Sequence, residues 1–277
     1  MSKISNTVRV LCVGDVVGST GRAMFQKHIP HLKEKHAIDV VMVNGENSAN
    51  DGRGITARVI EELKKSGADI ITSGNHVWDK KEVYSYLDQN SDVLRPANYP
   101  QGVPGVGSTI ITTPHGHSVG FVNILGRVFM RENLACPFRT ADSLLTYLKS
   151  RTSTIIVDFH AEATSEKLAF AYYLEGKVSA VVGTHTHIQT ADARVLPGGT
   201  AYITDLGMVG SLNSMIGMTK ESVMRQFLTQ MPTRFAVDTS VPLVLSGVLI
   251  TIDTANGRAL DIEPIRIYDE ELVIQKD

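Results

Sequence analysis

Five short apolar runs rich in β-branched residues, each followed within three residues by a side chain able to hold a metal, constrain this chain more than any other feature. The runs at residues 8–13, 39–43, 69–72, 154–159 and 180–183 have strand length, and stretches with helical spacing lie between them. Residues 21–36 put Met24, Phe25, Ile29 and Leu32 on one helical face. Thr56 stands as a cap for a helix running to about residue 66, and further helices are expected over 80–87, 141–150, 165–174 and 221–230. A hairpin is expected from strands 108–113 and 119–125, with later strands at 200–204, 243–252 and 258–267 and a glycine-rich loop at 207–217. Strands alternating with helices predict a layered α/β fold. No repeat, low-complexity tract or linker divides the chain, so one domain over residues 1–277 is expected.

Composition narrows the function mainly by exclusion. A net charge of −2 gives no long-range pull toward nucleic acid or an anionic membrane, so a phosphate-bearing ligand would need local cations. Of the two cysteines, Cys12 lies within an apolar run and reads as a small core residue. Nothing suggests a disulfide framework, which fits a reducing compartment. Residues 1–6 lead straight into an apolar run too short for a secretory core, with no small-residue cleavage pattern after it, and no run approaches the roughly 20 apolar residues that span a bilayer. A cytoplasmic protein is expected.

The polar residues at the strand ends form a pattern. Residues 8–13 run into Gly14-Asp15, residues 39–43 into Asn44-Gly45-Glu46-Asn47, and residues 69–72 into Ser73-Gly74-Asn75-His76. Residues 154–159 end on His160, and 180–183 run into Thr184-His185-Thr186-His187. In open α/β sheets ligands bind at the carboxyl ends of the strands, so parallel neighbours at one sheet edge would bring these side chains together. Carboxylates, imidazoles and neutral amides make a mixed N/O donor set, better suited to iron, manganese or zinc than to calcium. Two such cations can activate a bridging hydroxide and clamp a phosphoryl group. Each residue alone has a plainer reading as a helix cap, a turn former or a solvated group; the joint placement argues for a metal centre. Glycines 14, 45, 74 and 183 supply the tight turns and close approach such loops need.

Other candidates carry less. His115 and His117 sit in a polar turn between hairpin strands and are left out of the site. His28, His31 and His36 have no carboxylate at an obvious spacing and read as a solvated helix face. The loops 50–54 and 207–217 are candidates for a substrate rim, and Arg53 is a candidate phosphate contact, although an exposed loop arginine is more often simply solvated.

The motifs Gly14-Asp15, Gly45-Glu46-Asn47, Gly74-Asn75-His76, His160 and Gly183-Thr184-His185-Thr186-His187 resemble those of the calcineurin-like metallophosphoesterase superfamily. Two departures stand out: Val17 occupies the position of the first motif's histidine, and Glu46 that of the bridging aspartate. Both departures are similar to a narrower bacterial family, the YmdB-like phosphodiesterases, as are Gly14-Asp15-Val16-Val17-Gly18, Asn44-Gly45-Glu46-Asn47-Ser48-Ala49, Gly74-Asn75-His76-Val77-Trp78-Asp79 and Asp205-Leu206-Gly207-Met208. The resemblance covers nearly the whole chain. It implies a four-layer α/β/β/α sandwich and a di-metal site, commonly iron, with manganese or zinc as alternatives. The implied activity is hydrolysis of small phosphodiesters such as 2′,3′-cyclic nucleotides by a metal-bridging hydroxide. Carried over by position, one metal would take Asp15, Glu46, Asn47 and His187, and the other Glu46, Asn75, His160 and His185; His76 would be the general acid. Two rivals remain open: a phosphomonoesterase or protein phosphatase of the same superfamily, and a metal-dependent nucleotide-binding regulator. A homo-oligomer is compatible with everything in the sequence.

Overall fold

A computed structural model describes residues 6–272; most of the lead-in, residues 1–5, lies outside the described residues. The first half runs β1 (Thr7–Val13), β2 (Asp15–Val16), α1 (Gly18–Lys35), β3 (Val40–Asn44), α2 (Ala57–Lys65), β4 (Ile70–Thr72), α3 (Val83–Gln89), β5 (Val93–Leu94), β6 (Ser108–Thr112) and β7 (Ser118–Leu125). The second half runs α4 (Pro137–Leu148), β8 (Thr154–His160), α5 (Thr164–Leu174), β9 (Ala180–Thr184), β10 (Arg194–Val195), β11 (Ala201–Ile203), β12 (Met208–Ser211), α6 (Lys220–Thr229), β13 (Leu243–Asp253) and β14 (Ala259–Asp269). The expected helices are all present, and Thr56 caps α2 by accepting a hydrogen bond from the Val59 amide. Four short strands, β2, β5, β10 and β12, are additional to the sequence reading. One corrects it: β12 occupies part of the stretch expected to be loop at 207–217, pairing with β2 and β13.

The strands form two sheets. One is ordered β2-β12-β13-β1-β3-β4-β5, with β14 on the outer side of β13; the other is ordered β10-β11-β9-β8-β7-β6. The site-bearing strands therefore belong to two sheets, β1, β3 and β4 to one and β8 and β9 to the other, not to one sheet edge as the pattern alone suggests. Side-chain alternation explains how both can be buried on both faces. On β1, Leu11 and Val13 pack under α1 and α2 with Met24, Phe25, Ile60 and Leu63. Val8, Val10 and Cys12 instead meet Phe121, Ile156 and Val182 of the facing sheet. The far side of that sheet packs Val157, Phe159 and Tyr202 against Leu145, Phe170 and Leu174 of α4 and α5. The result is helices, sheet, sheet, helices: the four-layer sandwich.

The alternation also places the site. The inter-sheet residues Met42, Ile70, Phe121, Ile156 and Val182 are followed two positions later by Asn44, Thr72, Asn123, Asp158 and Thr184, all buried. The apolar layer between the sheets thus becomes polar at the carboxyl ends of the strands. Asp158 staples the two sheets there: its Oδ2 accepts from the Thr72 hydroxyl (2.5 Å) and Asn44 Nδ2 (3.2 Å), and its Oδ1 from the Thr184 hydroxyl (2.7 Å).

One sequence expectation is corrected away from the site. His28 is not part of a purely solvated face; its Nε2 lies 2.9 Å from Asp269 Oδ2 at the end of β14, beside the Lys27 ammonium at 2.6 Å. Asp269 Oδ1 also accepts from the amides of Glu271 and Leu272. The Lys27 hydrogen bond, foremost among these contacts, holds the Asp269 carboxyl well below the usual carboxylate range. A depressed carboxylate contributes stability above its unfolded pKa and loses it as pH falls. Asp269→Asn is therefore expected to lower the melting temperature near pH 7 by about 2–4 °C, the shift for about 1 kcal/mol in a chain of this size. In thermal melts the deficit should shrink as pH is lowered from about 5 toward 2, where wild type loses the same contribution.

Candidate metal centre

All seven expected metal ligands converge where the two sheets meet. Asp15, Glu46, Asn47, His160 and His187 are buried, and Asn75 and His185 are partly so. His160 Nε2 lies 3.0 Å from Glu46 Oε1, 3.1 Å from Asn75 Oδ1 and 3.1 Å from His185 Nδ1. Ligand atoms of Glu46, His160 and His185 lie within 4.8 Å of one another. The other half of the cluster brings His187 Nε2 to 3.1 Å from the Asn47 amide and 3.6 Å from Asp15 Oδ1.

The histidine environments suit ligation. Thr184 donates its proton to Asp158, so its oxygen is left to accept from His160 Nδ1 (2.9 Å) and Nε2 faces the cluster. His187 Nδ1 donates to the Ile216 carbonyl (2.9 Å), again turning Nε2 inward. His185 faces Glu162 through Nε2 (3.0 Å) and presents Nδ1 to the cluster. Neighbours of this kind fix tautomer and ring orientation in metal sites. Asp15 Oδ2 accepts from the His185 amide (3.2 Å), while the buried Oδ1 accepts no hydrogen bond.

These facts test whether cations fit. Three acceptor atoms crowd one imidazole nitrogen, and a single proton cannot serve three acceptors, whereas a cation can. The orphaned Asp15 oxygen would carry a desolvation penalty unless something binds it. Charge crowding is equally plain. Burial works against the His160 cation, yet Glu46 outweighs it and holds the imidazole up to about 9. Burial likewise opposes the Glu46 carboxylate, and His160 outweighs that in turn, bringing it to about 2. Burial, reinforced by His160, pushes His185 down to about 3. Burial raises Asp15 to about 6. The donor set fits a pair of cations.

The backbone is built for this convergence. His185 (φ 100°) and His187 (φ 65°) adopt left-sided conformations that non-glycine residues rarely take, and such strain collects at functional sites. The four strand-end glycines take no positive φ; what Gly74 provides is room, since a Cβ there would lie 2.3 Å from His160 Nε2 and 2.5 Å from Glu46 Oε2.

His76 stands beside the cluster. Its amide donates to Glu46 Oε2 (3.0 Å) and its Nδ1 meets Asp79 Oδ2 (3.0 Å), leaving Nε2 available to a substrate. Trp78 packs edge-on to Tyr84 and Tyr99 beneath this turn. Arg53 Nε pairs with Asp79 Oδ2 (3.2 Å), the same oxygen that meets His76. His115 and His117 lie in the hairpin turn, as expected, with His115 3.6 Å from Asp39. The sequence reading passed over Asn44, Asp158, Glu162 and Thr184 as orienting groups. Asp158 and Thr184 carry a signal that could have found them, a polar residue in phase with an otherwise apolar strand face.

Residues 11–265 match the family described as YmdB-like protein. A Bacillus subtilis (strain 168) protein named 2′,3′-cyclic-nucleotide 2′-phosphodiesterase is 47% identical over 268 residues, covering 97% of this chain and all of that one. A solved Thermus thermophilus protein described as hypothetical superposes with TM-score 0.88 at 40% identity, covering 95% of this chain and 100% of that chain. A Mycoplasma pneumoniae structure described as a novel phosphatase superposes with TM-score 0.89 at 34% identity, covering 95% and 94%.

Proposed function

The chain belongs to the YmdB-like family; from that premise we propose that it is a metal-dependent phosphodiesterase that hydrolyses 2′,3′-cyclic nucleotides at a two-cation centre. The observation that carries this reading is the convergence of Glu46, Asn75 and His185 on one nitrogen of His160, beside the orphaned oxygen of Asp15. Asp15, Glu46, Asn47 and His187 would hold one cation, and Glu46, Asn75, His160 and His185 the other. The N/O donor set suits iron, manganese or zinc, and iron is preferred among them only through the family. When bound, the cations supply Lewis-acid stabilisation of the phosphoryl oxygens and acidify the attacking water.

The chain's own residues do the rest. Water adds across the bond between phosphorus and O2′, leaving a 3′-monoester, and the departing O2′ needs a proton. His76 Nε2 donates it, with Asp79 holding Nδ1 and orienting the ring. The Glu46 carboxylate, through the His76 amide, ties the acid to the metal centre. Asp79→Asn is expected to lower kcat about tenfold with cation content unchanged, less than the roughly 100- to 10,000-fold cost of losing the acid, because the imidazole remains and only its orienting partner is weakened. Steady-state kinetics alongside elemental analysis would check this.

Among the described residues no helix is long and apolar enough to cross a membrane. We place the protein in the cytoplasm, in keeping with the free thiols of Cys12 and Cys136.

The test is a turnover panel on manganese- or iron-loaded protein: 2′,3′-cyclic AMP, 3′,5′-cyclic AMP, a chromogenic diester and a chromogenic monoester, with Glu46→Gln as the blank. Preference for the 2′,3′-cyclic ester with 3′-AMP as product supports the reading. Preference for the monoester would make the protein a phosphomonoesterase, and tight nucleotide binding without turnover would make it a regulator.

A further inference from the structure

The strained His185-Thr186-His187 turn needs something to hold it, and a buried ion pair that contributes no metal ligand lies directly behind it. Lys167 and Asp205 are 1% and 0% exposed, with Nζ and Oδ2 2.7 Å apart. Lys167 is buried on α5 with Phe170, Ala171 and Leu174, beside the likewise buried Glu166. Its ammonium also donates to the Thr184 carbonyl (2.8 Å). Asp205 Oδ2 accepts from both the Thr186 amide (3.0 Å) and the Thr186 hydroxyl (2.8 Å). The residue between the two strained histidines is thereby fixed through its backbone and its side chain. The second carboxylate oxygen, Oδ1, accepts from the Gly207 amide (2.9 Å), and the Gly207 carbonyl accepts from the Asp15 amide (3.1 Å). One carboxylate thus braces the loops carrying His185, His187 and Asp15. Space is reserved for the arrangement: a Cβ at Gly183 would lie 1.8 Å from the Thr204 carbonyl oxygen and 3.2 Å from the Lys167 stem.

Stability gives this pair little reason to exist. An apolar pair of similar volume is often as stabilising as a buried ion pair, because desolvation offsets the attraction. Orientation of metal ligands gives it a reason, since partners behind the ligands set their geometry. We propose that Lys167 and Asp205 are positioning residues that clamp the His185–His187 turn and the Asp15 loop into cation-binding geometry. The inference rests on the metal-centre reading.

The test is a manganese(II) titration of the metal-free full-length protein, followed by calorimetry and elemental analysis, on wild type, Lys167→Met/Asp205→Asn and Thr186→Val. The double variant is expected to bind manganese about 10- to 100-fold more weakly, the usual effect of removing a group behind a ligand. Thr186→Val removes one hydroxyl from a partly exposed turn residue. It should melt like wild type when metal-free, bind manganese more weakly, and regain phosphodiester turnover at saturating manganese. Should the double variant not fold, Thr186→Val decides alone. Wild-type affinity and stoichiometry in every folded variant would overturn the clamp, whereas a wild-type protein that takes up no manganese would overturn the metal-centre reading itself.

Discussion

Glu46→Gln is expected to reduce phosphodiester turnover by about 1,000-fold or more, since Lewis-acid stabilisation supplies several kcal/mol and each 1.36 kcal/mol is a factor of ten. The geometry makes the loss specific. Glu46 Oε2 accepts from the His76 amide, and Oε1 faces His160 Nε2 at 3.0 Å. In glutamine one of these positions becomes an amide nitrogen. Keeping the bond from His76 turns that nitrogen toward His160, where its hydrogen occupies the lone pair meant for a cation. The variant therefore loses a carboxylate and a competent imidazole together. Elemental analysis should find less than the wild-type cation content with an unchanged far-UV spectrum. Wild-type turnover in Glu46→Gln would remove the carboxylate from the reaction.

His76→Asn separates acid catalysis from metal binding. The backbone amide that braces Glu46 survives the change, and no donor atom of the cluster belongs to the His76 ring. Cation content is expected to stay at the wild-type value while kcat on 2′,3′-cyclic AMP falls about 100- to 10,000-fold. The leaving group supplies a sharper readout. A ribose alkoxide needs a proton to depart and a nitrophenolate does not, so the loss should shrink on a chromogenic diester. An equal loss on both substrates would assign His76 to binding or positioning instead of proton donation.

A good deal of this was legible in the chain before folding. All seven proposed ligands, and His76 with them, stand at or just past the ends of apolar runs. The layered α/β class followed from the same alternation of strand and helix. The misreadings were relational. His28 had no carboxylate at local spacing because its partner, Asp269, lies 241 positions away. Residues 208–211 looked like loop, being short and glycine-containing, and became strand only because β2 and β13 supplied partners on both sides. The Lys167–Asp205 pair gave only a charge on a helix and an aspartate within a motif, with nothing to join them.

By itself, then, the sequence determined which residues end strands and which strand faces are apolar, because periodicity and composition are local properties that a single run carries in full. Only the tertiary structure decided that β1, β3 and β4 lie in one sheet and β8 and β9 in another, and hence that the centre is made between two sheets. Strands buried on both faces read alike whichever sheet they join, so periodicity cannot assign their neighbours. The protonation states, the strain at His185 and His187 and the brace behind them were decided there too, because each depends on distances between residues far apart in the chain.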